Sequence, residues 1–136
     1  MKKIIALVIL LSVVSFGQIA DSTHIDAGAA KTDSINIGMG YSLSTITVDT
    51  AWTDSNLGFE VYDQHRNKWC EITDEDGAAI ELTVGAITVP TRVKIVPSEA
   101  LAIGYRFKIV SQISNTDSNQ AAIGRLTFEK VRLTER

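Results

Sequence analysis

Short runs of alternating apolar and polar residues, each ended by turn-forming residues, constrain the fold of this 136-residue chain more than any other feature. The two longest runs are Tyr105–Ser111 and Arg125–Leu133, joined by the polar loop Gln112–Gly124. In the first run, Phe107 and Ile109 alternate with charged residues, which is the period-two pattern of a half-buried strand. These two strands are predicted to form the centre of an all-β domain.

The apolar face of the last predicted strand changes partway along it. Leu126 and Phe128 share one parity, whereas Val131 and Leu133 have the other. Because successive side chains of a strand point to opposite faces, one extra residue is needed to bring both pairs to the same side. The sequence therefore predicts a β-bulge near Glu129–Lys130.

Further stretches with similar alternation complete a set of about eight short strands. They are Ile35–Met39, Leu43–Val48, Leu57–Val61, Lys68–Ile72, Ile80–Val84 and Arg92–Val96. Between the later strands, Pro97–Ile103 is predicted to hold one helical turn with Ser98 as its cap. The pattern predicts one antiparallel β-sandwich domain of jelly-roll type over residues 35–136, preceded by a linker or loose arm over residues 21–34.

The N-terminal segment, residues 1–20, has a different pattern. Two lysines precede the apolar run Ile4–Leu11, and small residues follow as far as Gly17. This pattern is typical of a bacterial signal peptide cleaved after Gly17 or Ala20; the alternative is an apolar arm that the mature protein keeps. The run is shorter than the roughly 20 residues that a spanning helix needs, so a permanent transmembrane anchor is the less favoured alternative. Membrane contact is expected, if at all, only through this segment. Its contact candidates are Ile4, Leu7, Leu11 and Phe16.

The charge and the cysteine content exclude several classes of protein. The formal net charge is −3, whereas nucleic-acid-binding domains usually carry a basic surface, so no nucleic-acid partner is expected. The single cysteine, Cys70, has no second cysteine with which to form an intrachain disulfide. Its position within a strand predicts a small core residue rather than a nucleophile.

No pattern in the sequence predicts a catalytic, cofactor-binding or metal site. His24 and His65 lie in polar segments far apart, so a zinc site is not expected. The acidic stretch Thr73–Gly77 has too few alternating oxygen ligands before its glycine for a calcium loop, and it is predicted to be a β-turn. The chain also lacks the Gly-x-Ser-x-Gly motif of a nucleophile elbow. We therefore expect a protein without enzyme activity and without cofactors.

Aromatic residues supply the contact candidates within the predicted sandwich. Tyr62 and Trp69 point away from the core on the two strands of one hairpin, so they are expected to lie side by side. Rigid amphipathic rings suit a protein interface or a sugar platform, and simple packing is the third alternative. Trp52 is instead predicted to fill the core at a corner. The loop Asn119–Ala122 is predicted to hydrogen-bond back to a neighbouring strand.

Several short motifs carry a resemblance to a known family. They are, in order, Ala51-Trp52-Thr53 with Leu57-x-Phe59, Trp69-x-x-Ile72 with Asp76-Gly77, Tyr105-x-Phe107-Lys108-Ile109-x-Ser111, and Asn119-Gln120-Ala121-Ala122-x-x-Arg125. With this order and spacing, most of residues 40–134 resembles a recurrent small protein of tailed bacteriophages and prophages. The resemblance implies a virion β-sandwich, capsid-associated or decorating, with no enzyme activity and no cofactor.

Two functions are compatible with these features. The first is a non-enzymatic virion structural protein that binds the major capsid protein or another virion protein, as a homo-oligomer in the assembled particle. The second is an exported binding module, secreted or periplasmic, that recognises a carbohydrate or a cell surface. The N-terminal segment separates the two, because export predicts its removal whereas a retained arm predicts its participation in assembly.

Overall fold

The computed structural model describes residues 19–84, 87–114 and 116–133. In chain order, the elements within these ranges are β1 (Ile19–Ile25), β2 (Ile35–Asn36), β3 (Tyr41–Val48), β4 (Asn56–Asp63), β5 (Lys68–Glu71), β6 (Thr91–Lys94), α1 (Pro97–Ile103), β7 (Arg106–Ile113), β8 (Thr116–Asp117) and β9 (Gly124–Arg132). Within the described ranges no helix has the length and apolarity to cross a membrane.

The strands form two antiparallel sheets that enclose one core. The four-stranded sheet has the order β1-β9-β3-β6, and the five-stranded sheet has the order β2-β7-β4-β5 with β8 paired to β7. Ile46 and Leu126 from the first sheet and Phe59 and Phe107 from the second belong to the same buried cluster. Each such side chain, once fully buried, contributes about 1.5–3 kcal/mol. The predicted all-β antiparallel sandwich is confirmed.

The first strand corrects the prediction of a linker or loose arm over residues 21–34. β1 pairs with β9 along its whole length, from Ile19 opposite Lys130 to Ile25 opposite Gly124. Ile25 is fully buried. The sequence pattern did not predict β1, because most of its side chains are polar and do not alternate with apolar ones. An edge strand of this kind is held by backbone N–H and C=O groups, which every residue except proline carries.

The rest of that predicted linker also lies against a sheet. The Thr32 N–H donates to the Ile109 carbonyl over 3.0 Å, and the Ser111 N–H donates to the Ala30 carbonyl over 2.7 Å. The Thr32 hydroxyl in turn accepts the Ile109 N–H over 3.1 Å. The sandwich therefore includes residues from Ile19 onward, and the predicted start at residue 35 is too late.

The β-bulge lies at the predicted level of the sheet but in the partner strand. Leu43 pairs with Lys130 and Thr45 pairs with Glu129, so the extra residue is Ser44 of β3. β9 keeps one parity throughout, and Val131 and Leu133 are correspondingly exposed. Because the extra residue lies in β3, the side chains of β9 do not change face, and the prediction that Val131 and Leu133 turn inward is wrong.

Four other predictions about the elements differ from the structure in detail. β7 and β9 are the long strands expected, but they belong to different sheets. The stretch 80–84 is not a regular strand, since only Leu82 forms a bridge, to Leu57. The predicted strand 35–39 ends at Asn36. The helix α1 begins after Val96 rather than after Ser98, and the Glu99 carboxylate accepts the Val96 N–H over 3.3 Å.

Candidate functional site

The hairpin of β4 and β5 brings two aromatic residues together on the outer face of the five-stranded sheet. Tyr62 pairs with Trp69 in the β4–β5 register, and their ring centroids lie 5.3 Å apart at an interplanar angle of 62°. Both side chains are partly exposed. The predicted side-by-side placement is confirmed, and the edge-to-face geometry is one that aromatic pairs prefer.

Two cations from β7 lie over these rings. The guanidinium carbon of Arg106 is 4.1 Å from the Tyr62 ring centroid and 5.7 Å from that of Trp69. The Lys108 Nζ is 4.6 Å from the Trp69 ring centroid. β7 presents both cations outward because its apolar residues, Phe107 among them, occupy the alternate inward positions. We call Tyr62, Trp69, Arg106 and Lys108 the aromatic–cation cluster.

Arg106 and Lys108 were not predicted as part of the site. In the sequence they form the polar half of the alternation in the strand β7. Tyr62 precedes Arg106 by more than forty positions, so their contact depends on the pairing of β4 with β7. The signal that was available is the alternation itself, which places both cations on one face of their strand.

Acidic residues on the same face are engaged elsewhere. Glu60 accepts from the Lys31 ammonium over 2.5 Å, and Lys31 also lies 3.0 Å from Asp117. Glu71 accepts the Gln112 side-chain amide over 3.0 Å. Burial by itself lowers the pKa of Lys31, but its hydrogen bonds and charge interactions with Glu60 and Asp117 outweigh burial and raise the pKa above its ordinary value.

A groove of about 360 Å³ adjoins the aromatic–cation cluster. Tyr62 and Arg106 form part of its wall, and Ile103 at the end of α1 forms another part. At one side the Gln64 amide donates to the Tyr105 hydroxyl over 2.9 Å. The groove is therefore lined by apolar surface next to a guanidinium and two neutral polar groups.

Two further residues considered in the sequence, Trp52 and Cys70, are described by the structure, whereas the N-terminal contact candidates are not. Ile4, Leu7, Leu11 and Phe16 lie outside the residues that the structure describes. Trp52 is buried, as predicted, and its indole N–H donates to the Ser55 carbonyl over 3.0 Å. Cys70 is a free thiol on β5, half-buried rather than fully enclosed in the core.

The acidic stretch Thr73–Gly77 forms the predicted turn. One carboxylate oxygen of Asp74 accepts the N–H groups of Asp76 at 3.0 Å and Ala78 at 2.9 Å, and Gly77 has a φ of +83°. This carboxylate therefore satisfies backbone donors of its own loop. Among residues 19–84, 87–114 and 116–133, no three His, Cys, Asp or Glu side chains are grouped to hold a metal ion.

A buried polar cluster fixes the loop that precedes β9. Gln120 is 1% exposed, and its amide nitrogen donates to the hydroxyls of Ser111 at 2.7 Å and Ser55 at 3.2 Å. Its amide oxygen accepts the Thr53 N–H over 2.8 Å. The predicted structural role of this loop is confirmed, since the hydrogen bonds of Gln120 satisfy neighbouring groups in the core.

The fold and the partly exposed cluster define a class of protein, namely an antiparallel β-sandwich that presents aromatic rings and cations on one outer face. The chain has no significant match among protein-family models, curated proteins or solved structures. The aromatic–cation cluster and the chemistry that it permits are therefore the features that bear on the function of this chain.

Proposed function

We propose that this chain is a non-enzymatic structural protein of a phage virion, which binds the capsid surface through the outer face of its five-stranded sheet. The observation that carries the proposal is the aromatic–cation cluster. Tyrosine, tryptophan and arginine are the residues most enriched where truncation weakens protein interfaces, and here all three occur in one contact network.

The arrangement of the rings favours a protein partner over a sugar. A sugar platform needs an open ring face on which the pyranose can stack. In this cluster Arg106 lies over the Tyr62 ring and Lys108 lies over the Trp69 ring. A sugar would have to displace these cations, whereas a protein surface can contact the rings at their edges and the cations at their N–H groups.

The role requires adhesion and no reaction. A protein that binds the assembled shell and not its separated subunits stabilises the shell by mass action. Contact areas of about 800 Å² per partner are typical of specific complexes, and one sheet face of a sandwich this size can supply such an area. Two hydrogen-bonded sheets around one core provide the rigid support that such a face needs.

Mass spectrometry of purified particles tests the proposal. We expect the chain among the virion proteins at a fixed copy ratio to the major capsid protein, and its absence from particles overturns the proposal. Particles that lack the chain should then bind added wild-type protein, and Tyr62→Ala/Trp69→Ala should bind at least about tenfold more weakly. Met39→Ala is the control, because Met39 is 80% exposed at a turn outside the cluster.

An exported binding module is the second candidate, favoured by the sequence pattern from Lys2 to Gly17. Intact-mass measurement of the protein from its native host separates the two candidates. A mature chain that begins at Gln18 or Asp21 supports export. A chain that keeps Lys2 and the apolar run supports assembly with the arm in place.

A further inference from the structure

Arg106 and Lys108 form no ion pair within the described part of the chain. Neither side chain has a described carboxylate oxygen within 4.0 Å, whereas Lys31, Arg66 and Arg92 each have at least one. The chain as a whole has a net charge of −3, so acidic groups are not scarce. Other cations in the described part of the chain also lack an ion pair, so the feature that distinguishes these two is their shared position over the rings of the aromatic–cation cluster.

The nearest acids on the same face do not account for these cations. Glu60 lies opposite Lys108 in the β4–β7 register, but its carboxylate pairs with Lys31. Glu71, on β5, accepts a hydrogen bond from Gln112. Neither carboxylate forms an ion pair with Arg106 or Lys108, so both cations are available for an ion pair with a partner.

The rings hold the two cations in position for such a contact. A guanidinium that stacks by its face on an aromatic ring directs its five N–H donors outward in one plane, and this fork matches the two oxygens of a carboxylate. The guanidinium carbon of Arg106 lies over the Tyr62 ring, 4.1 Å from its centroid, which is close enough for this contact. Because ring contacts already restrict the side chains, less conformational entropy is lost when a ligand binds.

The adjoining groove indicates the shape of the ligand. Its lining includes Val61 and Ala102 as well as Arg106, so a ligand anchored at the guanidinium lies beside apolar side chains. A polypeptide can present a carboxylate and an apolar side chain a few ångströms apart. An anionic polysaccharide has the charge but lacks the apolar group, so the groove favours a peptide segment.

We infer that the aromatic–cation cluster binds a carboxylate-bearing, extended segment of its protein partner, with the carboxylates at Arg106 and Lys108. The inference rests on the proposed function, since it names the chemistry of the partner at that same face. The apolar groove receives a neighbouring side chain of the segment. The rings of Tyr62 and Trp69 keep the cations in place and contribute contact area.

The test is a titration of the full-length ¹⁵N-labelled chain with a hexaglutamate peptide, followed by NMR. The chain has two tryptophans, and only Trp69 belongs to the cluster, so the buried Trp52 serves as an internal reference. We expect the Trp69 indole N–H signal to shift with added peptide while that of Trp52 does not. Hexalysine should leave both signals unchanged.

Two charge-matched variants identify the groups responsible. Arg106→Gln/Lys108→Gln should lower the affinity for hexaglutamate at least about tenfold, because two charge-assisted contacts are lost. Lys94→Gln/Arg125→Gln removes the same charge from exposed positions on the four-stranded sheet. It should change the affinity by less than about twofold, since distant exposed charges are screened by salt.

Three kinds of result would overturn the inference. The first is a failure of the expected binding pattern, either through an absence of Trp69 shifts or through equal weakening by the two double variants. The second is tighter binding of an oligogalacturonate of equal charge, which would assign the cluster to an acidic polysaccharide. The third is self-association of the wild type that Arg106→Gln/Lys108→Gln abolishes in sedimentation velocity, which would make a second copy the occupant.

The titration needs no virus particle, so it separates the two proposals. If the chain is absent from virions but binds hexaglutamate as described, the virion role fails and the carboxylate specificity stands for another partner. If the chain is a virion protein whose particle binding depends on Trp69 but not on Arg106 and Lys108, the virion role stands and the carboxylate specificity fails.

Discussion

The side-chain amide of Gln120 donates a hydrogen bond to the Ser111 hydroxyl over 2.7 Å, and both side chains are buried. Ser111 lies in β7 of the five-stranded sheet, while Gln120 lies in the loop that leads to β9 of the four-stranded sheet. The same Gln120 side chain also bonds Ser55 and the Thr53 backbone. Gln120 thus connects the turn before β4, the strand β7 and the loop that leads from the five-stranded sheet to the four-stranded sheet.

Replacement of Gln120 by leucine should destabilise the protein strongly. Leucine has nearly the same volume but removes the acceptor of the Thr53 N–H and one of the partners of the Ser55 and Ser111 hydroxyls, which still bond each other. Buried polar groups deprived of partners cost about 1–3 kcal/mol each, so we expect the free energy of unfolding to fall by about 2–4 kcal/mol. Urea denaturation measures the change.

The control for this substitution is Asn119→Ala, at the exposed neighbouring position. It should change the free energy of unfolding by less than about 0.5 kcal/mol. Similar stabilities for Gln120→Leu and the wild type would show that the buried hydrogen bonds make no net contribution to the fold.

Substitution of Gly58 by alanine should displace the Gln112 side chain. A Cβ at Gly58 would lie 1.9 Å from the Gln112 amide oxygen, and Gln112 is 2% exposed. The amide would have to move and break its bond to Glu71. We expect Gly58→Ala to lower the free energy of unfolding by about 1–3 kcal/mol, measured by urea denaturation.

A double-mutant cycle tests the cause of this loss. Gln112→Ala removes the obstacle, so Gly58→Ala should cost much less in that background than in the wild type, and the two effects should not add. Additive effects would contradict the steric explanation and point to a backbone origin of the loss at Gly58.

The stability of the protein at alkaline pH should depend on Lys31. Glu60 and Asp117 raise its pKa in the folded state above the ordinary value of 10.5, against the lowering effect of burial. A pKa that is higher in the folded state stabilises the folded protein fully at pH values below the pKa of the unfolded state. This contribution to stability is lost as the pH rises through the pKa of the folded state. We therefore expect unfolding midpoints to fall above about pH 10.5, and to fall less steeply in Lys31→Met.

Lys94→Met is the matched variant, because Lys94 is exposed and has no ion pair among the described residues. Its pH profile should run parallel to that of the wild type, since other groups that titrate in this range are unchanged. Identical profiles for Lys31→Met and the wild type would contradict the assigned role of the Lys31 ion pairs.

Local patterns predicted the parts of the site that lie close together in sequence. Tyr62 and Trp69 flank one hairpin turn, so their parity and the turn were enough to place them side by side. Gln120 was predicted to bond a neighbouring strand because loop amides near a sheet satisfy backbone groups. The positions of Arg106 and Lys108 over those rings were not predicted, since that contact depends on which strand pairs with β4.

The sequence by itself determined the positions of the long central strands and the side chains that they bury, such as Phe107 and Ile109, because period-two alternation reflects the geometry of a single strand. The tertiary structure alone decided sheet membership, the strand that carries the bulge and the inclusion of β1. These features depend on hydrogen bonds between backbone groups that are the same in nearly every residue. They depend also on distances between residues far apart in the chain, and the order of residues along one strand contains no information on either.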